Sequence, residues 1–439
     1  MFSRVLLIAT LLSVPAGAQD WDWGGRLADS VSEFSESKLK LSFEFRGMYE
    51  ERTGNAFGKA VDIDTALLRT RLGLSYTPFR WLKFSAMGQD SRAPFYGSNA
   101  PSTVRDQADL HESYFELFPE KKTGFGMTAG RMMLNYGEER LIGTPQWGNL
   151  SRTYDHTRVY YRAPGAQISF LFLSPAKIRI GEFNRPVLGD HVWGTYNSFP
   201  NLYKKNLVEA YFLRHDQNRP GGFTGGARKD GTDKLAVNTL GFRVAGPFAM
   251  GAKYSVEAVG QNGMVGPASH HANAWFSSLS KSFTIKKRTV DFSGEYKFAS
   301  GTHNPLDAKR SGTFDQLYAA NHDKFGHQDI FGWRNLHNVR SVSTFNVSKQ
   351  FALSAMYDSY WLAAVRDGIY SGSGKLIVRS TTGTAGRHVG QDADFFGTYK
   401  FGHFNFGAGM GHFFTGQFLN KATPGVGPNY FYVFHRYSL

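Results

Sequence analysis

Apolar and polar residues alternate with a period of two in segments that recur along the chain. In the segment 38–50, odd-numbered residues such as Leu41 and Phe43 are apolar, whereas even-numbered residues such as Glu44 and Arg46 are polar. The same pattern recurs in the segments 65–76, 250–261 and 290–298. No helical period fits this pattern, so it predicts β-strands with one apolar and one polar face.

The links between these segments differ in length. Short links lie at 77–79, 119–123, 163–165, 245–247, 348–350 and 402–403. Long links, rich in Gly, Asn, Asp and Ser, lie around 92–109, 133–151, 174–190, 214–236, 300–337, 362–388 and 415–428. Bacterial transmembrane barrels have short periplasmic turns and long extracellular loops. We therefore predict an all-β, transmembrane, antiparallel up-and-down barrel.

Threading strands through these links predicts 18 crossings, with 16 as the alternative count. The predicted strands are 38–50, 62–76, 81–91, 109–117, 125–133, 152–162, 166–174, 190–196, 206–214, 236–245, 249–261, 270–283, 287–299, 338–347, 351–361, 389–401, 404–415 and 428–439. The strand 190–196 is included because the tight turn at Pro247 otherwise has the wrong polarity. In the strand that begins at Trp81, the alternation of Leu82 and Phe84 does not carry cleanly into Arg92.

The amino-terminal residues resemble an export signal. Arg4 precedes an apolar run over residues 5–14, and the small residues 16–18 form a cleavage site. We predict a signal peptide over 1–18, a periplasmic segment over 19–37 and a barrel over 38–439. These features predict the outer membrane of a Gram-negative-type cell, with its lipid, as the location.

Composition narrows the choice of partner. The formal net charge is +14 at pH 7, which indicates an anionic partner. This charge is spread through the chain, and together with export it argues against nucleic acid. The chain has no Cys, so no disulfide can stabilise an exported fold. Aromatic residues make up 15% of the chain, as aromatic girdles at membrane interfaces require.

Projecting the predicted strands inward places many charged residues on the lumen face. The arginines and lysines are Arg46, Arg69, Arg71, Arg131, Arg158, Arg243, Arg340, Arg436, Lys40, Lys83, Lys253, Lys297 and Lys400. The carboxylates are Glu44, Glu112, Glu209, Glu257, Asp291, Glu295, Asp392 and Asp394. Rings of Arg and Lys select anions, although Arg–acid ladders can also simply brace the inside of a barrel.

Other candidate sites carry little weight. His270 and His271 lack further ligands at defined spacing, and the acidic loop at Asp106 and Asp109 lacks an EF-hand pattern. Ser, His and Asp are plentiful, but no isolated set demands catalysis. We therefore predict no enzyme activity, no catalytic residue, no cofactor and no metal site.

Several motifs in order along the chain resemble the alginate-export family of outer-membrane proteins. They are Leu68-Arg69-Thr70-Arg71-Leu72, Gln89-Asp90-Ser91-Arg92, Gly130-Arg131, Tyr136-Gly137, Glu139-Arg140-Leu141, Trp147-Gly148-Asn149, Arg152, Asp155, Arg158, Thr239-Leu240-Gly241, Glu257, Gln261-Asn262-Gly263, Gly312-Thr313-Phe314-Asp315-Gln316-Leu317-Tyr318, His322, Phe325-Gly326 and Asp329. The resemblance covers most of the chain that follows the predicted leader.

This resemblance implies a monomeric 18-stranded barrel with an electropositive constriction, through which an acidic exopolysaccharide passes outward. It assigns constriction roles to Arg69, Arg71, Arg92, Arg131, Arg152 and Arg158. Glu112, on the fourth strand, is placed to pair with these arginines. The loop 300–337 is expected to cover the outer mouth or to fold into the pore.

The predicted pore-lining set is Arg46, Arg69, Arg71, Arg92, Arg131, Arg152, Arg158, Arg243, Arg340, Arg436, Glu112 and Glu257. Our leading hypothesis is passage of alginate or a similar uronate polymer, with a periplasmic secretion partner. The alternatives are an anion-selective porin that takes up small acidic solutes, a barrel enzyme such as a lipase, and an adhesive barrel plugged by its own loops.

Overall fold

The computed structural model describes residues 23–99, 101–203, 205–218 and 234–439. Eighteen long strands account for most of these residues. They are β1 (Leu39–Thr53), β2 (Ile63–Phe79), β3 (Leu82–Arg92), β4 (Asp106–Leu117), β5 (Gly124–Met132), β6 (Tyr154–Ala163), β7 (Ala166–Lys177), β8 (Asp190–Tyr203), β9 (Asn206–Asn218), β10 (Lys234–Pro247), β11 (Lys253–Val265), β12 (Ala268–Ile285), β13 (Arg288–Ala299), β14 (Leu336–Asn346), β15 (Phe351–Leu362), β16 (His388–Phe401), β17 (Phe404–Thr415) and β18 (Asn429–Ser438). The predicted leader, 1–18, lies outside the described residues.

Each long strand pairs antiparallel with the next one along the chain, and β18 pairs back onto β1. Arg46 of β1 lies opposite Arg69 of β2 on one side and Arg436 of β18 on the other. Closure removes the free sheet edges that a bilayer cannot solvate. The predicted barrel of 18 strands is confirmed, and the alternative count of 16 is wrong. The strand predicted at 190–196 exists and is longer, Asp190–Tyr203.

The links have the predicted contrast in length. One end of the barrel has short turns, at 80–81, 118–123, 164–165, 248–252, 286–287, 347–350 and 402–403. The other end carries loops that we name L1 (54–62), L2 (93–105), L3 (133–153), L4 (178–189), L6 (266–267), L7 (300–335), L8 (363–387) and L9 (416–428). L5 (219–233) lies outside the described residues. The two-residue L6 is the exception among the loops of that end.

Short helices, 3-10 turns and short strands lie outside the long strands. The helices are Trp23–Phe34 before β1, Asn55–Gly58 in L1 and Gln417–Ala422 in L9, and the 3-10 turns are Pro94–Asn99 and Ala249–Gly251. The short strands are Arg185–Pro186, Arg310–Ser311, Gly368–Tyr370 and Leu376–Arg379. No helix among the described residues is long and apolar enough to span a bilayer.

The alternation of side chains sets the two faces of the barrel wall. On β2, Arg69 and Arg71 are buried inside, whereas Leu72 and Leu74, which follow them, are exposed on the outer face. On β17, Met410 likewise faces outward. A lipid-facing surface of this kind is what a transmembrane strand requires, because lipid solvates the apolar side chains on that face.

The hydrophobic core lies inside the barrel, near the end that carries the loops. Phe331 and Trp333 of L7 are almost fully buried and pack in one cluster with Tyr360 of β15 and Phe413 of β17. Phe331 lies 4.8 Å from Tyr360, measured between ring centroids. Of the two positions expected for the loop 300–337, the structure therefore shows the folded-in one.

A prediction concerns Gly263 of β11, whose φ of +146° favours glycine. A Cβ there would also collide with the carbonyl oxygen of Ala236 on β10. We expect Gly263→Ala to destabilise the barrel by about 1–3 kcal/mol, measured as a lower unfolding midpoint in detergent. Gly260→Ala on the same strand is the control, because nothing lies within 4 Å of its added Cβ. Equal midpoints for the two variants would contradict the assigned register.

Candidate functional site

Three arginines lie side by side on the inner wall where the barrel closes. Arg69, Arg46 and Arg436 are directly opposite one another on β2, β1 and β18. Opposite residues of an antiparallel pair project from the same face about 5 Å apart. Arg71 lies one inward position further along β2, opposite Glu44. We call these four arginines the arginine row.

Among the described residues, Glu44 is the carboxylate that pairs directly with this cationic patch. The Nε of Arg69 donates to Glu44 Oε1 at 2.8 Å, and Arg71 Nη1 lies 3.9 Å from the same oxygen. The Nε of Arg436 is buried with no hydrogen-bond partner among the described residues. The patch therefore keeps an excess of positive charge that Glu44 alone does not neutralise.

Loop L3 covers the row with backbone carbonyls. Arg46 donates to the carbonyl oxygens of Trp147 at 2.5 Å and Gly148 at 2.8 Å. Arg69 donates to those of Gly148 at 3.0 Å and Gln146 at 3.1 Å. These contacts leave Arg46 only 4% and Arg69 only 1% exposed. We call Gln146–Gly148 the carbonyl latch.

The latch forms a thin cover over the arginines. Gln146 and Gly148 are themselves exposed. Arg71 is held by side chains instead, since its Nε donates to Gln89 Oε1 at 2.7 Å and its Nη1 to Gln146 Oε1 at 2.9 Å. Guanidinium groups prefer charged acceptors to neutral carbonyls, so these contacts are weaker than those a carboxylate would make.

The other end of L3 binds the facing wall. Glu138 accepts from Arg243 Nη2 of β10 at 2.9 Å and from Ser255 Oγ of β11 at 2.5 Å. The Arg140 guanidinium lies 3.4 Å above the ring centre of Phe276 on β12. L3 thus crosses the lumen from one wall to the other.

Electrostatics favour this crossing. Burial raises the pKa of Glu138, but Arg140, the hydrogen bond from Ser255, and Arg243 together more than offset it and hold that pKa below its ordinary value. Glu138 therefore stays ionised at neutral pH, and its contact with Arg243 is a charge-assisted hydrogen bond.

Four predicted pore-lining residues face inward, but their side chains pair with or pack on other residues inside the barrel. Arg243 pairs with Glu209 as well as Glu138. Arg340 pairs with Asp358 at 3.0 Å, and Glu257 accepts from Tyr211 at 2.6 Å. Arg158 lies 4.9 Å from the ring centre of Tyr160, with its Nε unpartnered among the described residues. Arg243, Arg340 and Glu257 therefore brace the wall.

Two predicted pore-lining arginines are on the wrong face. Arg92 shares the outward side of β3 with Phe84 and Asp90, and its side chain is 59% exposed while it pairs with Asp90 at 2.7 Å. Arg131 lies opposite Asp155 on the outward side of β5 and pairs with it at 2.7 Å. Both lie near the loop end of their strands, where water and headgroups solvate an outward charge.

Arg152 and Glu112 have other roles than predicted. Arg152 lies in L3, and its Nη1 donates to the carbonyl oxygens of Tyr318 at 2.6 Å and Ala319 at 3.2 Å in L7. Glu112 faces inward, but its Oε1 accepts the backbone N–H of Met133 at 2.8 Å. Arg152 therefore joins L3 to L7, and Glu112 holds the start of L3 against β4.

A closed barrel with an apolar outside, a charged inside and inward-folded loops defines an outer-membrane channel of the porin type. The sequence model of the alginate export family matches residues 37–433. The chain belongs to that family. Among proteins of curated function, none matches this sequence.

Solved structures show the same fold. OpdK of Pseudomonas aeruginosa is 10% identical, with a TM-score of 0.62 over 91% of this chain and 98% of its own. OpdQ of the same organism is 11% identical, with a TM-score of 0.62 over 91% and 97%. A further structure, OpdK with vanillate, gives a TM-score of 0.61 at 10% identity over 91% and 98%.

Sequence reasoning found the arginine row but missed the carbonyl latch. The motif Trp147-Gly148-Asn149 carries only a family resemblance in the sequence, because its contact with the row depends on backbone atoms. The contact of Arg46 with Gln146 spans 100 positions of the chain. Local sequence patterns do not predict a contact between residues so far apart in the chain.

A prediction follows for Trp147, which holds the latch in place. Its Nε1 donates to Tyr430 at 3.0 Å, and its ring meets Tyr432 edge-on at 4.7 Å. We expect Trp147→Ala to free the latch and raise single-channel conductance in planar bilayers. Trp275→Ala is the control, because Trp275 is 41% exposed on the outer face. An unchanged conductance in the Trp147 variant would contradict the role of the latch.

Proposed function

We propose that this outer-membrane channel passes an anionic polysaccharide, alginate or a similar uronate polymer, outward through its arginine-lined interior. The observation that carries the proposal is the arginine row, with one neighbouring carboxylate and a cover of neutral carbonyls. Family membership supports the same cargo class and direction.

The carbonyl latch indicates how an anion would bind the arginines during passage. A uronate carboxylate is a stronger acceptor for a guanidinium fork than a backbone carbonyl. Successive carboxylates can take the place of the Trp147 and Gly148 oxygens on Arg46 and Arg69. Glu44 keeps the attraction moderate, which matters because a polyanion bound too tightly would not leave.

The uptake of small acidic solutes is the second candidate. L3 and L7 fill much of the lumen near the loop end, which suits a cargo smaller than a polymer. OpdK, similar in fold, has been solved with vanillate, an aromatic carboxylate. For either cargo we infer a monomer, and a periplasmic secretion partner stays a prediction.

Ion selectivity tests the arginine row. We expect purified wild-type protein in planar bilayers to select anions, and Arg46→Gln with Arg69→Gln to shift the reversal potential toward zero. The control, Arg92→Gln with Arg214→Gln, removes the same charge from the outer face, where Arg92 pairs with Asp90 and Arg214 with Asp216. A wild-type channel that selects cations, or an equal shift in both double variants, would contradict the assignment.

Blockade distinguishes the two cargoes. We expect oligouronates to block the anion current in a length-dependent manner, because a longer chain meets more of the row at once. Neutral oligosaccharides of matched length are the control. Block by monomeric acids that does not strengthen with chain length would favour the small-solute porin over the polymer channel.

A further inference from the structure

Three potential metal ligands lie close together in L7. His322, Asp323 and His327 each offer one ligand atom, and these atoms lie within 4.8 Å of one another. His327 Nδ1 lies 2.6 Å from Asp323 Oδ1, and His322 Nε2 lies 3.4 Å from the same oxygen. One nitrogen of each ring therefore points at a shared carboxylate.

The other nitrogen of each ring already has a partner. His322 Nδ1 lies 2.8 Å from Asp329 Oδ2, and His327 Nε2 lies 2.7 Å from the hydroxyl of Tyr432 on β18. Histidines that bind metals have this arrangement, in which the second ring nitrogen is held by a carboxylate or another polar group that fixes its orientation. Asp329 and Tyr432 thus leave His322 Nε2 and His327 Nδ1 directed toward Asp323.

Aromatic rings fix the two imidazoles. Trp147 stacks on His322 with ring centroids 4.3 Å apart and an interplanar angle of 4°. Phe396 stacks on His327 at 4.6 Å and 9°. Rotation of either imidazole would break a stacking contact as well as a hydrogen bond, so the ligand geometry is organised in advance.

Asp323 is the solvent-exposed member of the cluster. The side chain of Asp323 is 50% exposed, whereas His327 is only 4% exposed. Two imidazoles and one carboxylate supply three ligands, which leaves a tetrahedral ion one further position for water. The half-exposed Asp323 gives a hydrated ion a route into the site.

We propose that His322, Asp323 and His327 bind a divalent transition-metal ion, of which Zn²⁺ suits this nitrogen and oxygen ligand set. This assignment holds whichever of the two cargoes the channel passes. From sequence, His270 and His271 are the histidines that stand out, and no metal site is predicted. The proposed ligands were missed because their convergence depends on the folding of L7 against β16 and β18.

Zinc titration of the full chain in detergent tests this site. The affinity tag is removed and the protein is treated with a chelator before calorimetry with ZnCl₂. We expect one Zn²⁺ per chain, and at least a tenfold loss of affinity in His322→Asn with His327→Asn. The matched control is His271→Asn with His303→Asn, two exposed histidines outside the cluster. It should bind like wild type.

Two results would overturn the proposal. One is the absence of stoichiometric Zn²⁺ binding by the wild-type chain. The other is unchanged affinity in the His322 and His327 double variant. Asp323→Asn gives a further arm in case that double variant does not fold, and it should also lose at least tenfold in affinity. Co²⁺ added to wild-type protein should give visible absorption bands of a nitrogen- and oxygen-coordinated ion, and a hexa-aqua spectrum would count against the site.

Discussion

The need to pair every backbone group within the bilayer determines how this chain is built. A bilayer offers no hydrogen-bond partner for a free N–H or C=O, so the strands must close on themselves. Closure places β18 against β1 and so brings Arg436 beside Arg46 and Arg69, although these residues lie at opposite ends of the sequence. The cationic patch is therefore a product of barrel closure.

Arginines concentrated in this way impose a second requirement. A buried guanidinium without acceptors costs several kcal/mol, on the order of 3–5 when a partner is removed. Glu44 meets part of the demand, main-chain oxygens of L3 serve Arg46 and Arg69, and side chains hold Arg71. Neutral carbonyls satisfy the donors without cancelling their charge. The wall thereby remains stable with the channel at rest and retains its attraction for an anion.

Much of the fold is predictable because a strand is a local pattern. Alternation predicts most of the strands, whereas the strand at 190–196 is predicted from the order of short and long links, which also sets the strand directions. Alternation predicts Arg131 inside, and the family resemblance predicts Arg92 there. Both face outward, because a charge near the end of a strand can pair there with Asp155 or Asp90. The paths of L3 and L7 were not predictable, because their contacts reach across the lumen and many use backbone oxygens, which carry no residue-specific signal.

Trp147 contacts both the arginine row and the histidine cluster of L7, and so links the two. Its carbonyl oxygen accepts from Arg46, and its ring stacks on His322. Any anion that draws the latch away from the arginines must also disturb that stacking contact. Conversely, an ion held by His322 would fix the ring and make the latch harder to displace. Because coupling between two sites is reciprocal, anionic cargo should weaken metal binding by the same factor by which metal weakens binding of the cargo.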